Sequence, residues 1–156
     1  MPRSSRPRKT YRPRGVNLQA HNVAMHGAAL LSLDDRTVWA MRLDDAITAV
    51  GRGEAAATQW DEIFAAVALA EQLVMDRLAA DPGKVVAEAQ QACADILHRT
   101  GSRAVKSTEL AALRALQVDW IMLLGGITHT QKFICEERIA IRRRSPQTIK
   151  VPKPCP

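Results

Sequence analysis

The chain has 156 residues, enough for one domain with its own core, and 47% of them are hydrophobic. No run approaches the roughly 18 apolar residues that a membrane span needs, and the segment Val16–Ser32, with Asn17, Gln19, His21, Asn22 and His26, is too polar for a signal-peptide core. The net charge is +6, but residues 1–14 and 138–156 hold twelve of the 22 bases and none of the 16 acids, so an acidic body lies between two cationic ends.

Alanine and leucine are abundant, and aromatics make up only 4%. That composition favours helix over strand. The expected fold is all-α: a four- to five-helix bundle with a long C-terminal helix and disordered basic arms. The domain division expected is a disordered arm over 1–14, a helical bundle over 15–144, and a disordered Pro/Lys tail over 145–156.

In chain order, the first arm contains Arg3, Arg6, Arg8, Lys9, Arg12 and Arg14 around Tyr11, with Pro2, Pro7 and Pro13 opposing helix. A short helix is expected near 17–29. Ser32, with Asp35 three residues on, reads as a helix cap, and Val38, Met41, Ala46 (or Leu43), Ile47 and Val50 follow at helical spacing. Gly51 and Gly53 end that helix. Thr58 opens the next, with Asp61 and Glu62 in its first turn. Its stripe runs through Trp60, Ile63, Phe64, Val67, Ala70, Leu73, Val74 and Leu78.

Asp81-Pro82 reads as an N-cap followed by proline at the first helical position. Val85, Val86, Ala89, Ala92, Cys93, Ile96 and Leu97 form the fourth stripe, which Gly101 closes. From Ser107 or Thr108 a final run keeps a three–four spacing: Leu110, Leu113, Gln117, Trp120, Leu124, Ile127, Gln131, Ile134 and Ile141. As one helix it would span about 30 residues, roughly 45 Å. Gly125-Gly126 in its middle predicts a kink or a close helix crossing. The polar Gln117 and Gln131 on that seam suggest a self-association face over residues 110–141, with Leu124 as its test position.

Residues that carry chemistry are few. His21 and His26, like Cys93 and His98, are five apart and project in different directions, so they miss the spacing of metal ligands. Cys93 and Cys135 fall on apolar faces as small hydrophobes, and Cys155 lies in the tail. The pairs Asp34-Asp35, Asp44-Asp45, Asp61-Glu62 and Glu136-Glu137 read as helix-start acids or solvated faces rather than acid–base dyads. Gly51-Arg52-Gly53 lacks the frame of a phosphate loop, and no serine sits in a nucleophile elbow. No cofactor and no enzymatic activity are expected. A helix-turn-helix at Gly101 is disfavoured because the following helix opens Ser-Thr-Glu-Leu-Ala-Ala, without the polar base-reading residues such a helix needs.

The arms carry the functional expectation. Arginine forks onto phosphate and stacks on bases, and Tyr11 adds one aromatic face. The nucleic-acid contacts expected are Arg3, Arg6, Arg8, Lys9, Tyr11, Arg12, Arg14, Arg142, Arg143 and Arg144, mostly to the phosphate backbone of DNA or RNA. A membrane-surface role is disfavoured because no apolar anchor accompanies the charges. The alternative is a protein-binding modulator that holds a host or phage protein on its helical surface. A cytoplasmic location is expected, because the stretch from Val16 to Ser32 is too polar for a signal-peptide core.

Three stretches together, Lys9-Thr10-Tyr11-Arg12-Pro13-Arg14, Gly51-Arg52-Gly53-Glu54-Ala55 ahead of Trp60-Asp61, and Ser107-Thr108-Glu109-Leu110-Ala111-Ala112-Leu113, resemble small helical accessory proteins of bacteriophages, prophages and mobile elements of proteobacteria. The resemblance covers about residues 8–138 and leaves the tail outside it. It implies a bacterial cytoplasm and a role in phage or element biology, and it assigns no functional residue.

Overall fold

The computed structural model describes residues 27–99 and 104–144. Five α-helices account for most of them: α1 (Leu33–Arg52), α2 (Ala57–Met75), α3 (Val85–His98), α4 (Ser107–Leu123) and α5 (His129–Arg144). The helical bundle expected from composition is what forms. The expected basic arm, most of the helix near 17–29, the stop at Gly101 and the Pro/Lys tail lie outside the described residues.

Helix α1 starts where its cap signal places it. The Ser32 hydroxyl oxygen accepts from the Asp35 amide at 3.0 Å, satisfying one of the first-turn N–H groups. It ends at Gly53, whose φ of 74° is a left-handed conformation that favours glycine. Helix α2 begins before Thr58. The Ala56 amide donates to Gln59 Oε1 at 2.8 Å, so a glutamine reaching back sets the start.

Asp81 does cap α3, but not across one turn. The chain makes a short 3-10 turn over Pro82–Lys84, with Gly83 and Lys84 both at positive φ, before α3 begins. Asp81 then accepts from the Val86 amide at 2.8 Å and the Ala87 amide at 3.3 Å. The carboxylate serves the helix terminus from five residues upstream because the intervening turn folds back on itself.

The long C-terminal helix is two helices. α4 stops at Leu123, and α5 starts at His129. A Cβ on Gly125 would stand 3.2 Å from both Arg36 Nη1 and the Met122 carbonyl oxygen, a tight fit beside the guanidinium that donates to the Ile121 carbonyl at 3.3 Å. Thr128 and Gln131 then form a reciprocal capping box, with Gln131 N to Thr128 Oγ1 at 3.2 Å and Thr128 N to Gln131 Oε1 at 2.9 Å. Gln131 is therefore a cap, not part of a seam.

The break resets the helical phase. Leu113, Trp120, Leu124 and Ile127 are buried as the spacing predicts, but Ile134 and Ile141 are exposed, and Cys135 faces inward instead. Leu124 is wholly buried in the chain's own core. An aspartate there would test the fold and not a dimer.

Helices α1 to α4 close a ring: α1 packs on α2 and α4, α3 on α2 and α4, and α5 stands against α2. The core inside the ring is Leu43, Ile47, Ile63, Leu73, Leu113 and Leu116, with Ile96 and Val86 from α3. The entering chain is tied to α5's start by an isolated antiparallel bridge, Leu30 to Thr128, with Leu31 N to Ile127 O at 2.9 Å and His129 N to Ala29 O at 3.2 Å. The described chain thus enters beside one end of α5 and leaves from the other, about 24 Å away at helical rise.

Among the described residues no helix is long and apolar enough to cross a membrane.

Candidate functional site

Helix α5 has two working faces. Cys135, Arg138 and Arg142 recur at three and four residues and face the C-terminal end of α2. Arg138 pairs with Asp76 Oδ2 at 2.7 Å, and the Cys135 thiol donates to the same oxygen at 3.6 Å. Arg142 donates to Gln72, approaches Met75 Sδ at 3.8 Å and stands 3.9 Å from Glu71. Gln72 is buried, and Arg142 is its polar partner.

The second face presents Lys132, Glu136, Ile139, Ala140 and Arg143, again at helical spacing, with Arg144 beside them. It looks onto a cleft of about 540 Å³. Trp39, Arg42 and Leu43 of α1, and Glu62, Ala65, Ala66 and Leu69 of α2, form the facing walls, and Trp120 of α4 closes the interior. The small side chains Ala65, Ala66 and Ala140 leave the space that larger residues would fill.

The cleft joins apolar and cationic parts. Lys132 stands 4.5 Å over the Trp39 ring and pairs with Glu136 one turn on, so its charge is already engaged. Among the described residues Arg42, Arg143 and Arg144 have no ion-pair partner, and all three are exposed. Glu62 is the lining carboxylate without one. The Trp120 side chain is 3% exposed, and its indole Nε1–H is cut off from water with no acceptor among the described residues. An unsatisfied buried donor costs free energy, a local cost carried by the packing of Trp120 in the core.

The predicted arginines therefore divide. Arg143 and Arg144 line the cleft, whereas Arg142 is turned onto α2 and helps hold α5 in place. Arg3, Arg6, Arg8, Lys9, Tyr11, Arg12 and Arg14 lie outside the described residues. Arg42, Trp39 and Trp120 were not among the expected contacts. Arg42 and Trp39 sit three residues apart on α1, a spacing that puts them on one face, but nothing local marks that face as belonging to a cleft until α5 is folded against it.

The other candidate groups have structural roles. Burial pushes the Cys93 thiol up to about 12 and the Cys135 thiol, which also faces Asp76, up to about 11, so both stay protonated and unreactive near neutrality. Asp76 is held below the usual carboxylate value by its hydrogen bond with Gln72 and by Arg138, against the opposing effect of burial. Glu109 is buried at the start of α4, where Oε2 accepts from the Lys106 amide at 2.8 Å and Oε1 pairs with Arg99. Glu109 is thereby committed to the fold, while Ser107, Thr108 and Ala111 beside it are exposed. Among the described residues no three His, Cys, Asp or Glu side chains are grouped to hold a metal ion.

Comparison with protein-family models, with curated proteins and with solved structures found no match.

Proposed function

We propose that this protein is a non-enzymatic accessory protein of a phage or mobile element that associates with the phosphate backbone of nucleic acid. The observation that carries the reading is the convergence of Arg42 from α1 with Arg143 and Arg144 from α5 on one cleft, without carboxylate partners, where the chain runs into its acid-free C-terminal segment. Cations in the last turn of a helix also complement its dipole, which accounts for Arg143 and Arg144 locally but not for Arg42 across the cleft. The sequence holds a second acid-free cationic segment in residues 3–14.

The test is fluorescence anisotropy of labelled DNA and RNA with the full chain across a salt series. Contacts to about six phosphates predict roughly a thousandfold loss of affinity between 50 and 200 mM salt. A variant with Arg3, Arg6, Arg8, Lys9, Arg12 and Arg14 changed to Gln should flatten that dependence, and so should Arg42→Gln with Arg143→Gln and Arg144→Gln. Absence of binding at low salt would refute the reading. A truncation at residue 137 is unsuitable because it cuts α5 in two.

A second reading has its own support. Val118 and Met122 lie one turn apart on α4 and are 72% and 81% exposed, an apolar pair suited to a protein partner. Under that reading the chain is a modulator of a host or phage protein, and Met122→Glu should abolish partner capture while leaving nucleic-acid binding alone.

A further inference from the structure

The geometry points to a more specific occupant: the α1–α2–α5 cleft takes one nucleotide with an unpaired base, so the nucleic acid bound there is single-stranded. This inference rests on the nucleic-acid reading above.

Three features of the cleft argue for it together. Its volume of about 540 Å³ is in the range of small-ligand sites. Its apolar lining is the half-buried Trp39, whose ring carries Lys132 on one side, with Ile139, Ala65 and Ala140 at the walls and the buried Leu43, Leu69 and Trp120 beneath, a surface that suits a flat apolar ring. Its polar groups match a nucleotide in kind: Arg42, Arg143 and Arg144 suit a phosphate, and Glu62 suits the amino group of a base. A simple anion would use the arginines and leave the apolar walls unanswered. A duplex would reach the arginines, but its bases are stacked and paired, with no ring free to enter.

A nucleotide of this chemistry comes either free or as a unit of a strand. The composition of the chain favours the strand: residues 1–14 and 138–156 hold twelve bases and no acid, more positive charge than a single nucleotide neutralises.

The test measures full-chain binding of three probes: an oligodeoxythymidylate, a duplex of equal length, and thymidine monophosphate. Anisotropy is read for the labelled strands, and quenching of tryptophan emission is read for all three. The expected result is about a tenfold preference for the single strand, with tryptophan quenching that the duplex does not produce. Filling the cleft with Ala65→Leu and Ala140→Leu should lower single-strand affinity about tenfold, to the duplex value, with an unchanged thermal melt. Arg42→Gln, at an exposed position that leaves the fold intact, should also weaken the single strand. Equal binding of strand and duplex, or a preference that survives in the filled variant, overturns the inference while leaving backbone binding in place. Quenching by the mononucleotide with no gain from the strand overturns the strand as the source. No binding of either nucleic acid at low salt overturns both readings together.

Discussion

The ring of α1–α4 and the helix α5 are held by different physics. The ring interior is leucine and isoleucine buried from four sides, whereas α5 contributes one fully buried residue, Cys135. α5 is attached through Arg138 to Asp76, Arg142 to Gln72 and Glu71, Lys132 over Trp39, the bridge from Leu30 to Thr128, and partly buried Ile139. Apolar burial scales with area and does not depend on pH, while ion pairs at partly exposed positions are weak singly and sensitive to pH and salt. The comparison teaches that the helix forming the cleft is the one least secured to the core. A wall of a binding site drawn from the less stable part of a fold is a common arrangement.

The sharpest way to break the comparison is to cut the ring. Ile63→Ala removes a side chain with no exposure, and about 2–5 kcal/mol of stability should be lost across the whole molecule in urea or guanidinium unfolding. Loss confined to one helix would contradict a shared core. A smaller and more local effect is expected from Asp76→Ala combined with Arg142→Ala. Amide exchange should quicken over residues 129–144 and stay slow in α1–α4. Uniform acceleration would mean that α5 is part of the same cooperative unit.

Acid offers a reversible version of that experiment. The folded-state pKa of Asp76 lies below its ordinary 3.8, so the carboxylate stabilises α5 above that value. The contribution is lost as pH falls through the lowered folded pKa. NMR titration of Asp76 should give a midpoint below 3.8, and Asp76→Asn should remove its share of the acid sensitivity of α5 exchange. The smallest effect should come from Gly53→Ala, where a left-handed residue gains a Cβ: about 1 kcal/mol, read as a modest drop in thermal midpoint. No loss at all would mean that the α1 terminus relaxes freely.

Much of the ring was readable residue by residue. The Ser32 cap, the Gly53 stop and the stripes through Ile63, Val67, Ala70 and Leu73 are local signals, and each is found where the spacing puts it. The division of the last run was also written locally, in Gly125-Gly126 and in Thr128-His129-Thr130-Gln131, a capping-box sequence. The three–four spacing concealed it, because Leu124 and Ile127 are buried in the turn while continuing the pattern of a helix. A residue in a buried turn and a residue on a helical seam are both apolar, so periodicity alone does not tell them apart.

The candidate site was far less legible. Arg143 and Arg144 stood out because they lie in a run, but so did Arg142, which the fold spends on Gln72. Which of three consecutive arginines points where depends on the angular position of α5 against α2, and that is set by the break after Leu123 and the contacts of Cys135 and Arg138. What the sequence by itself determined is the all-helical class, most helix ends and the charge division between body and termini, since caps, glycines, helical periodicity and composition act over a few residues. What only the tertiary structure decided is the cleft: Trp39, Arg42, Trp120 and Arg143 are brought together from three helices by packing between residues as far as about a hundred positions apart, and no local interaction records that distance.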